Sequence, residues 1–340
     1  MSQTSGAVVI TEHDPMREAC RGGVIAIGNF DGVHRGHQVL LALARDIAGE
    51  RRAPFGLVTF EPHPRTFFRP EDPVFRLSPL PLKARLVAAL GANFVATLTF
   101  DRDFASLEPE VFVRKVIADR LGAAHVVTGY DFHFGRGRKG NAATLKSLGQ
   151  TLGFGVSSIE QVTDDNGLAP VASSAIRAAL RHGHVEAAAH QLGYWWTVLG
   201  EVVPGDGRGR DLGYPTANLM LEPGCEPKEG IYAVRVRIDD EPGRSARAGA
   251  AYIGTRPTFG TNRRFLEVHL LDFSGDLYGR RLAVEFIAFI RPDQAFEGAE
   301  KLKCQMDADC RAIAAILDGL ARDDPMQHYP LGRLQAQGLL

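Results

Sequence analysis

The chain has 340 residues, of which 45% are hydrophobic and 23% charged, a composition typical of a soluble globular protein with room for two domains. Its formal net charge of −1 argues against a broad surface for nucleic acid or anionic membrane, and no run approaches the ~20 apolar residues that span a bilayer. The opening residues lack a secretory signal pattern. The four cysteines form no CxxC pair, which is typical of reduced thiols, so a cytoplasmic location is expected.

Short apolar runs alternate with helical patterns from Val24 to about Leu192. The run "VIAIG" precedes a predicted helix at Gln38–Ala48. The runs "FGLVTF", "FVATLTF" and "HVVTG" are then separated by helical patterns that end at Gly91 and Gly122. This alternation predicts a doubly wound α/β domain in which helices cover both faces of a parallel sheet. Ligands of such sheets bind beyond the carboxyl ends of the strands.

The pattern changes after Gly193, where β-branched and aromatic segments follow one another with turns but no helices between them. The segments are "YWWTVLGEVV", "GIYAVRVRID", "AGAAYIG", "RFLEVHLLDF" and "RLAVEFIAFI". They predict an antiparallel sheet or small barrel, followed by a helix at about Phe296–Leu320. We expect the tail from Asp323 to be only partly ordered. The predicted domains are residues 1–184 and 185–324, with a tail at 325–340.

The segment "GNFDGVHRGH", Gly28 to His37, lies where the first predicted strand gives way to a helix. Gly28 and Gly32 allow a sharp turn and close approach of a ligand. If the helix begins near Gly36, its free N–H groups form an anion site. His34 and His37 would then lie within a turn of a bound phosphate and could stabilise its changing charge. Zinc ligation and plain helix capping are the alternatives that the residues leave open.

Three further segments of the first domain carry polar or rigid residues. "TFEPHP" ends a strand with two prolines that fix a turn, although it could be a simple strand exit. "GYDFHFGRGRKG" places Asp131 before a basic glycine-rich loop, which could hold phosphate or be merely solvated. "VASSAIRAALRHG" predicts a helix capped by Ser173 or Ser174, which by itself needs no ligand.

The segment "GDGRGRDLGYPTANL", Gly205 to Leu219, is rich in glycine and arginine and could wrap phosphates. It contains no GKS or GKT and is therefore not a Walker loop. Thr216 and Asn218 supply neutral oxygens of the hard type that Mg²⁺ prefers. A Gly/Arg linker is the alternative.

A carboxylate stands within the later strand pattern "RFLEVHLLDFSGDLYG". With a period of two, Leu266, Val268 and Leu270 share one face, and Glu267 lies on the other. Glu267 could act as the general base that activates an alcohol for attack on a γ-phosphate. A solvent-facing glutamate on an edge strand is the alternative.

Together these motifs resemble the bacterial bifunctional riboflavin kinase/FAD synthetase family. "IGNFDGVHRGHQVLL", with its HxGH signature at His34 to His37, "TFEPHP" and "GYDFHFGRGRKG" are similar to the adenylyltransferase half. "GRGRDLGYPTANL", "GIYAV", "GTRPTF" and "LEVHLLDFSGDLYG" are similar to the riboflavin kinase module. The resemblance implies a nucleotidyltransferase domain followed by a six-stranded barrel with a C-terminal helix. Riboflavin would be phosphorylated to FMN, and FMN adenylylated to FAD, with ATP as co-substrate and Mg²⁺ as cofactor.

The resemblance also implies roles for individual residues. In the adenylyltransferase, His34 and His37 would be catalytic, and the ATP contacts would be Gly28, Asn29, Phe30, His34, His37, Ser173, Ser174 and Arg177. Its flavin contacts would be Phe60, Pro62, His63 and Asp131. In the kinase, Glu267 would be the base, and the ATP contacts would be Gly207, Gly209, Arg210, Leu212, Pro215 and Thr216. Glu267 and Arg291 would contact flavin, and Thr216 and Asn218 would bind Mg²⁺.

Two departures from the family pattern stand out. Ala172 and Ser174 occupy positions where the family has Ser and Thr, which reduces the hydroxyl groups available to ATP. Asp293 stands where Glu is expected beside the flavin. Riboflavin, FMN and ATP are the expected partners of a monomer or weak homo-oligomer, with no nucleic acid or membrane partner.

Two other functions stay open from the sequence. The chain could be an HxGH adenylyltransferase for another substrate, such as a pantetheine or nicotinamide phosphate, with an accessory barrel. It could also be a flavin sensor without turnover. The base Glu267 and the oxygen pair Thr216 and Asn218 argue against both, because an accessory or sensor barrel needs neither.

Overall fold

The computed structural model describes residues 7–11, 14, 18–165, 167, 169–205, 209, 213–239, 245–258 and 261–340, with the backbone alone at 256–258 and 261–263. The chain divides into two compact units. The first comprises Met1–Val74 and Ser78–Ala172, and the second comprises Phe75–Leu77 and Ser173–Leu340. Among the described residues, no helix combines the length and the apolar character needed to cross a membrane.

The first unit is built on a six-stranded sheet in which every strand pairing is parallel, as predicted. The strands are β1 Val8–Ile10, β2 Val24–Ile27, β3 Phe55–Glu61, β4 Phe94–Thr99, β5 His125–Gly129 and β6 Gly155–Ile159. Their spatial order is β1-β4-β3-β2-β5-β6. The direction of winding therefore reverses at β2, and in open sheets of this kind ligands bind beyond the carboxyl end of the strand at the reversal.

Helices connect the strands of the first unit. They are α1 Arg35–Arg51, α2 Pro64–Phe68, α3 Leu80–Ala89, α4 Arg102–Ala105, α5 Pro109–Phe112 and α6 Ala142–Leu152, together with a π-helix at Val113–Arg120 and 3-10 turns at Glu18–Cys20 and Arg136–Arg138. Helix α1 forms because Leu40, Leu41, Ala44 and Ala48 recur at helical spacing and are buried. All four residues of β2 are buried as well, which is typical of a parallel strand covered on both faces.

The second unit begins with two helices and continues as a six-stranded antiparallel sheet. Its elements are α7 Ser173–Arg181, α8 Val185–Leu192, β7 Thr197–Glu201, β8 Ala217–Met220, β9 Gly230–Ile238, β10 Arg247–Thr258, β11 Thr261–Leu270 and β12 Arg281–Arg291. The order is β7-β12-β9-β10-β11-β8. Val203, just beyond β7, donates its N–H to the carbonyl of Asn218 in β8 at 2.9 Å. This bridge joins the two edge strands, so the sheet is a nearly closed barrel, as predicted.

The C-terminal segment is folded, so the expectation of a partly ordered tail is wrong. Helix α9 covers Ala299–Arg322, a 3-10 turn covers Pro325–His328, and α10 covers Pro330–Ala336. Met326 and Leu331 are fully buried. The amide of Gln335 accepts a hydrogen bond from Trp195 N at 2.8 Å and donates to Trp195 O at 2.9 Å. These contacts stabilise the segment although its short, proline-broken helices lack a hydrophobic period.

Four buried charges link this tail to the barrel strands. Arg235 pairs with Glu285, and its Nη1 lies 3.0 Å from Asp324 Oδ2. Arg237 Nε lies 2.9 Å from Glu285 Oε1, and its Nη2 donates to the carbonyl of Gln335. Because both arginines share one carboxylate and both contact the tail, the network fixes the tail against β9 and β12.

The second unit also includes the tripeptide Phe75–Leu77, which lies in the chain between the two parts of the first unit. In this segment, Phe75–Leu77, the carbonyl of Leu77 accepts a hydrogen bond from the Trp196 indole Nε1 at 3.2 Å. The Phe75 ring meets the Trp196 ring edge-on at 5.7 Å, and the Phe75 carbonyl accepts from Arg177 Nε at 2.6 Å. The barrel unit is therefore discontinuous in sequence.

Candidate active sites

The loop from Gly28 to His34 follows β2 and has an unusual backbone. Phe30 and Val33 have positive φ values of +47° and +40°, which cost conformational energy for residues other than glycine. The loop is held from outside: Ser78 N donates to Asp31 Oδ1 at 3.0 Å, and Gly32 N donates to Ser78 Oγ at 2.7 Å. Strained backbone of this kind persists where surrounding contacts enforce it, and it is common at ligand sites.

The two histidines stand at the start of α1, which begins at Arg35, close to the predicted position. His34 is the N-cap, and its Nδ1 accepts from His37 N at 3.4 Å. The two imidazoles stack with centroids 3.6 Å apart and planes at 19°. A Cβ atom on Gly36 would lie 3.3 Å from the His34 ring, so glycine leaves this stack undisturbed. The remaining N–H groups of the first turn provide an anion site.

His37 is held in its neutral form. Burial lowers its pKa well below the ordinary value of 6.5, and repulsion from His34, when that ring is protonated, and from the Lys83 ammonium group lowers it further. Within the described part of the chain, its buried Nδ1 has no hydrogen-bond partner. The same residues contain no group of three or more His, Cys, Asp and Glu side chains placed to hold a metal ion. The ring therefore presents an uncharged polar atom beside the anion site.

Two neighbouring strand ends carry the other predicted residues of this unit. Phe60 lies at the end of β3, followed by the cis peptide Glu61–Pro62 and by His63, whose Nδ1 accepts from Arg65 N at 3.1 Å. Asp131 is exposed just beyond β5. Because β3 and β5 flank β2 in the parallel sheet, their carboxyl ends meet at the edge that carries the histidines. The sheet thus gathers three of the sequence motifs at one edge.

Sequence reasoning missed Lys83, which lies in α3. Its side chain is 5% exposed, and its Nζ donates to the carbonyl of Asn29 at 2.8 Å and to Thr59 Oγ1 at 3.2 Å. A single lysine in the amphipathic pattern "LPLKARLVAAL" gives no signal that it is buried. Only the packing of α3 against the sheet shows it.

The predicted ATP contacts Ser173, Ser174 and Arg177 belong to α7 of the second unit. The helix begins at Ser173, so both serines lie in its first turn rather than at the N-cap that the sequence suggested. Arg177 is half-buried against Phe75, as described above. Their contact with ATP stays a prediction.

In the barrel, the strand alternation predicted for β11 is confirmed. Leu266, Val268 and Leu270 are buried on one face, and Glu267 is half-buried on the other. Antiparallel register places Glu267 opposite Asn218 on β8 and opposite Tyr252 on β10. The carboxylate is therefore at the centre of three adjacent strands rather than on an exposed edge.

Two cavities adjoin these strands. The first has a volume of about 370 Å³ and is lined by Thr216, Glu267 and Arg291 with Tyr252 and Phe296. The second has a volume of about 570 Å³ and is lined by Pro215, Thr216 and the turn from Phe273 to Tyr278. Thr216 lines both cavities, which therefore adjoin at this residue.

Arg291 is fixed by a carboxylate that sequence reasoning missed. Its Nε and Nη2 both lie within 3.1 Å of the Asp309 carboxylate in α9, and Gln305 Nε2 donates to the same Asp309 at 2.9 Å. Asp309 is 6% exposed, although it stands in a helical pattern, "DADC", that reads as solvated. The bidentate pair holds the guanidinium group in one orientation at the wall of the first cavity.

Asp293 also forms a side-chain hydrogen bond. Its Oδ2 accepts from the Tyr252 hydroxyl group at 2.9 Å. Burial first, and then this hydrogen bond, raise the pKa of Tyr252, so the phenol stays a proton donor. Asp293, which is shorter than the expected Glu, thus contacts a residue of β10, and both residues line the first cavity.

The oxygens predicted for magnesium fit that role. Gly205 packs against the Asn218 side chain so closely that a Cβ atom would lie 2.1 Å from Asn218 Nδ2, so only glycine at this position leaves room for the amide. Thr216 and Asn218 offer neutral hard oxygens, which suit Mg²⁺ that arrives with nucleotide phosphates. Of the predicted ATP loop, Gly209 is described and lines the first cavity, whereas Gly207, Arg210 and Leu212 lie outside the described residues.

Two different protein families match the two parts of the chain. The FAD synthetase family model matches residues 16–174, and the riboflavin kinase model matches residues 192–317. A bifunctional riboflavin kinase/FMN adenylyltransferase of Pseudomonas fluorescens is 42% identical over 302 residues, covering 88% of this chain and 95% of that protein. The protein of the same name from Escherichia coli K12 is 37% identical over 298 residues, covering 87% and 93%.

Among solved structures, one described as a macrolide-efflux protein from Streptococcus pneumoniae has the same fold. It is 29% identical, with a TM-score of 0.78, and the match covers 90% of this chain and 99% of that one. The likeness therefore extends over both units.

Proposed function

The chain belongs to the family of bifunctional riboflavin kinase/FMN adenylyltransferases, and from that premise we propose that each unit carries one of the two activities. ATP phosphorylates riboflavin to FMN, and a second ATP adenylylates FMN to FAD with release of pyrophosphate. Assignment of the kinase to the barrel and the adenylyltransferase to the parallel sheet is supported by the separate ranges that the two family models match.

For the kinase, we assign riboflavin to the first barrel cavity and ATP to the second. The shared wall at Thr216 is the observation that carries this assignment, because a terminal phosphate and a hydroxyl group must meet there. Glu267 takes the proton of the ribityl 5′-hydroxyl group as its oxygen bonds to the γ-phosphorus, and ADP leaves. Arg291, held by Asp309, orients the flavin.

We propose that Thr216 and Asn218 hold Mg²⁺ in this site. When bound, the ion neutralises charge on the phosphate oxygens. We propose that Gly207, Gly209, Arg210, Leu212 and Pro215 contact the nucleotide; Gly209, which lines the first cavity, meets its terminal phosphate from the flavin side. Glu267, which lies on β11 opposite Asn218 of β8, takes the proton of the riboflavin 5′-hydroxyl group.

For the adenylyltransferase, a phosphate oxygen of FMN attacks the α-phosphorus of ATP, and pyrophosphate leaves. His34, His37 and the first N–H groups of α1 stabilise the charge that develops on the phosphate oxygens, and no covalent intermediate is needed. The ATP contacts are completed by Gly28, Asn29, Phe30, Ser173, Ser174 and Arg177. Phe60, Pro62, His63 and Asp131 bind the flavin.

We further propose a cytoplasmic enzyme that works as a monomer or weak homo-oligomer, without nucleic acid or membrane as a partner. None of the four cysteines forms a disulfide, which supports a reducing compartment. The formal charge of −1 supports the absence of a polyanionic partner.

Chromatography of reaction products tests the proposal. Protein incubated with riboflavin, ATP and Mg²⁺ should form FMN and then FAD, and a chelator should stop FMN formation. Supplied FMN should give FAD directly. A folded protein that forms neither product would contradict the assignment of both sites.

A further inference from the structure

A lysine ammonium group lies buried beneath the histidine loop. Lys83 is contributed by α3, yet its Nζ contacts two oxygens that belong to other elements: Asn29 O in the loop and Thr59 Oγ1 in β3. Thr59 Oγ1 in turn donates to Asn29 O at 3.2 Å, which closes a triangle of hydrogen bonds. Burial of a charge is costly unless its hydrogen bonds are satisfied. The buried ammonium group of Lys83 therefore depends on its acceptors Asn29 O and Thr59 Oγ1.

The position of the triangle gives it a consequence for the site. Asn29 precedes Phe30, the first of the two strained non-glycine residues, and the loop ends at the cap residue His34. A contact that pins the Asn29 carbonyl therefore fixes one end of the strained segment. Ser78 fixes its middle through Asp31 and Gly32.

We propose that Lys83 is a positioning residue of the adenylyltransferase site: its ammonium group fixes the loop from Gly28 to His34 and supplies a permanent positive charge behind the histidine pair. The inference rests on the proposed role of that pair at the ATP phosphates. A neutral His37 donates one hydrogen bond to a phosphate oxygen, and Lys83 supplies from behind it the positive charge that the neutral imidazole lacks.

The charged groups around His37 determine how its pKa should change when Lys83 is replaced. His34, on the same turn, and Lys83, from α3, both lower the pKa of His37, after the larger effect of burial. The Glu61 carboxylate of β3 lies 4.0 Å from Lys83 Nζ. Removal of the lysine charge should therefore raise the pKa of His37.

Three substitutions separate the two parts of the proposal. Lys83→Met removes charge and hydrogen bonds while keeping the length of the side chain. Lys83→Gln keeps a donor for Asn29 O but removes the charge. Thr59→Val breaks the triangle and keeps the charge. Lys146→Met, which removes an exposed lysine of the same unit, is the matched control.

The measurements are kcat/KM for FAD synthesis from FMN against pH, and the titration of His37 by NMR in isotope-labelled full-length protein. Lys83→Met should lower kcat/KM about 10–100-fold, the range expected for a lost charge-assisted hydrogen bond. It should also shift the His37 titration, and any part of the pH profile of kcat/KM that follows it, to higher pH. Lys83→Gln should recover part of the rate but keep the shift, and Thr59→Val should lower the rate without a shift. Lys146→Met should do neither.

Riboflavin phosphorylation by the same molecules reports that the chain is folded. If Lys83→Met does not fold, Lys83→Gln decides the question. An unchanged His37 titration in a folded Lys83 variant, or a kcat/KM within twofold of the parent protein, overturns the proposal. If the parent protein makes no FAD, the proposed function fails, whereas the NMR titration still measures the effect of Lys83 on His37.

Discussion

The two sites of this chain are built in different ways. In the first unit, the candidate groups stand on a loop between a strand and a helix, and side chains from distant elements, Ser78 and Lys83, hold that loop. In the barrel, Glu267 stands on a strand, and backbone register places it opposite Asn218 and Tyr252. The first site depends on long-range anchors, and the second depends on strand pairing.

This difference teaches what kind of change each site tolerates. A strand fixes its side chains through many backbone hydrogen bonds, so a single side chain can be removed without moving its neighbours. A strained loop fixes its side chains through a few contacts, so the loss of one anchor moves several groups together. Substitutions in the two units should therefore separate the activities cleanly, and they should differ in how far their effects spread.

The largest effect is expected in the barrel. Glu267→Gln removes the proposed base and should reduce FMN formation about 1,000-fold, within the range for general-base catalysis. FAD synthesis from supplied FMN should continue at the parent rate. Chromatography of both reactions on one preparation measures this, and loss of both activities in a folded variant would contradict the division of labour.

A comparable loss is expected in the first unit. His37→Ala removes one half of the stacked pair and should reduce FAD synthesis about 100–1,000-fold, which is typical for the removal of one group that stabilises transition-state charge. Initial rates with FMN and ATP give the measurement. Riboflavin phosphorylation should stay within twofold, and a parallel fall in that activity would argue against separate sites.

A smaller effect should follow from crowding the magnesium oxygens. Gly205→Ala adds a methyl group that would lie 2.1 Å from the Asn218 amide nitrogen. Asn218 must then move, and kinase activity should fall about 10-fold or more. Gly319→Ala is the matched control, because nothing lies within 4 Å of a Cβ atom there. The KM for Mg²⁺ should rise in the first variant and stay constant in the second.

The smallest effect on catalysis is expected from the tail. Gln335→Ala removes the hydrogen bonds to Trp195 and to Thr197 Oγ1 and should lower the stability of the barrel by about 2–4 kcal/mol. Both activities at 25 °C should persist. Thermal unfolding followed by tryptophan fluorescence tests this, with the exposed Gln337 replaced by Ala as control; equal melting temperatures would contradict it.

The sequence predicted the framework of both units because their patterns are strong and local. The alternation of strands and helices predicted the parallel sheet, and the period of two around Glu267 predicted which residues of β11 share a face. The strand β8 was not among the predicted segments, because four residues of "TANLM" are too few to show a period. Only its pairing with β11 defines it as a strand.

The rest of the sites could not be predicted because it depends on contacts between distant residues. Lys83 and Asp309 sit in ordinary helical patterns, and what distinguishes them is burial beside Asn29 and Arg291. The order of the tail could not be predicted for the same reason: Met326 belongs to a core cluster with Ala233 and Ile287 of the barrel, which are far away in sequence, and Leu331 is buried as well. Short sequence motifs were enough to predict the candidate site residues. The residues that hold them in place can be identified only from the folded structure.

The short segment Phe75–Leu77 sets a limit on how the gene can be divided. A fragment that starts at Ser173 would carry every strand of the barrel but would lack the carbonyl that accepts the Trp196 indole N–H. An unpaired buried donor costs about 1–3 kcal/mol, and the Phe75 ring would be lost with it. An independently expressed kinase fragment therefore needs this tripeptide restored, for example by fusing it to the fragment through a linker.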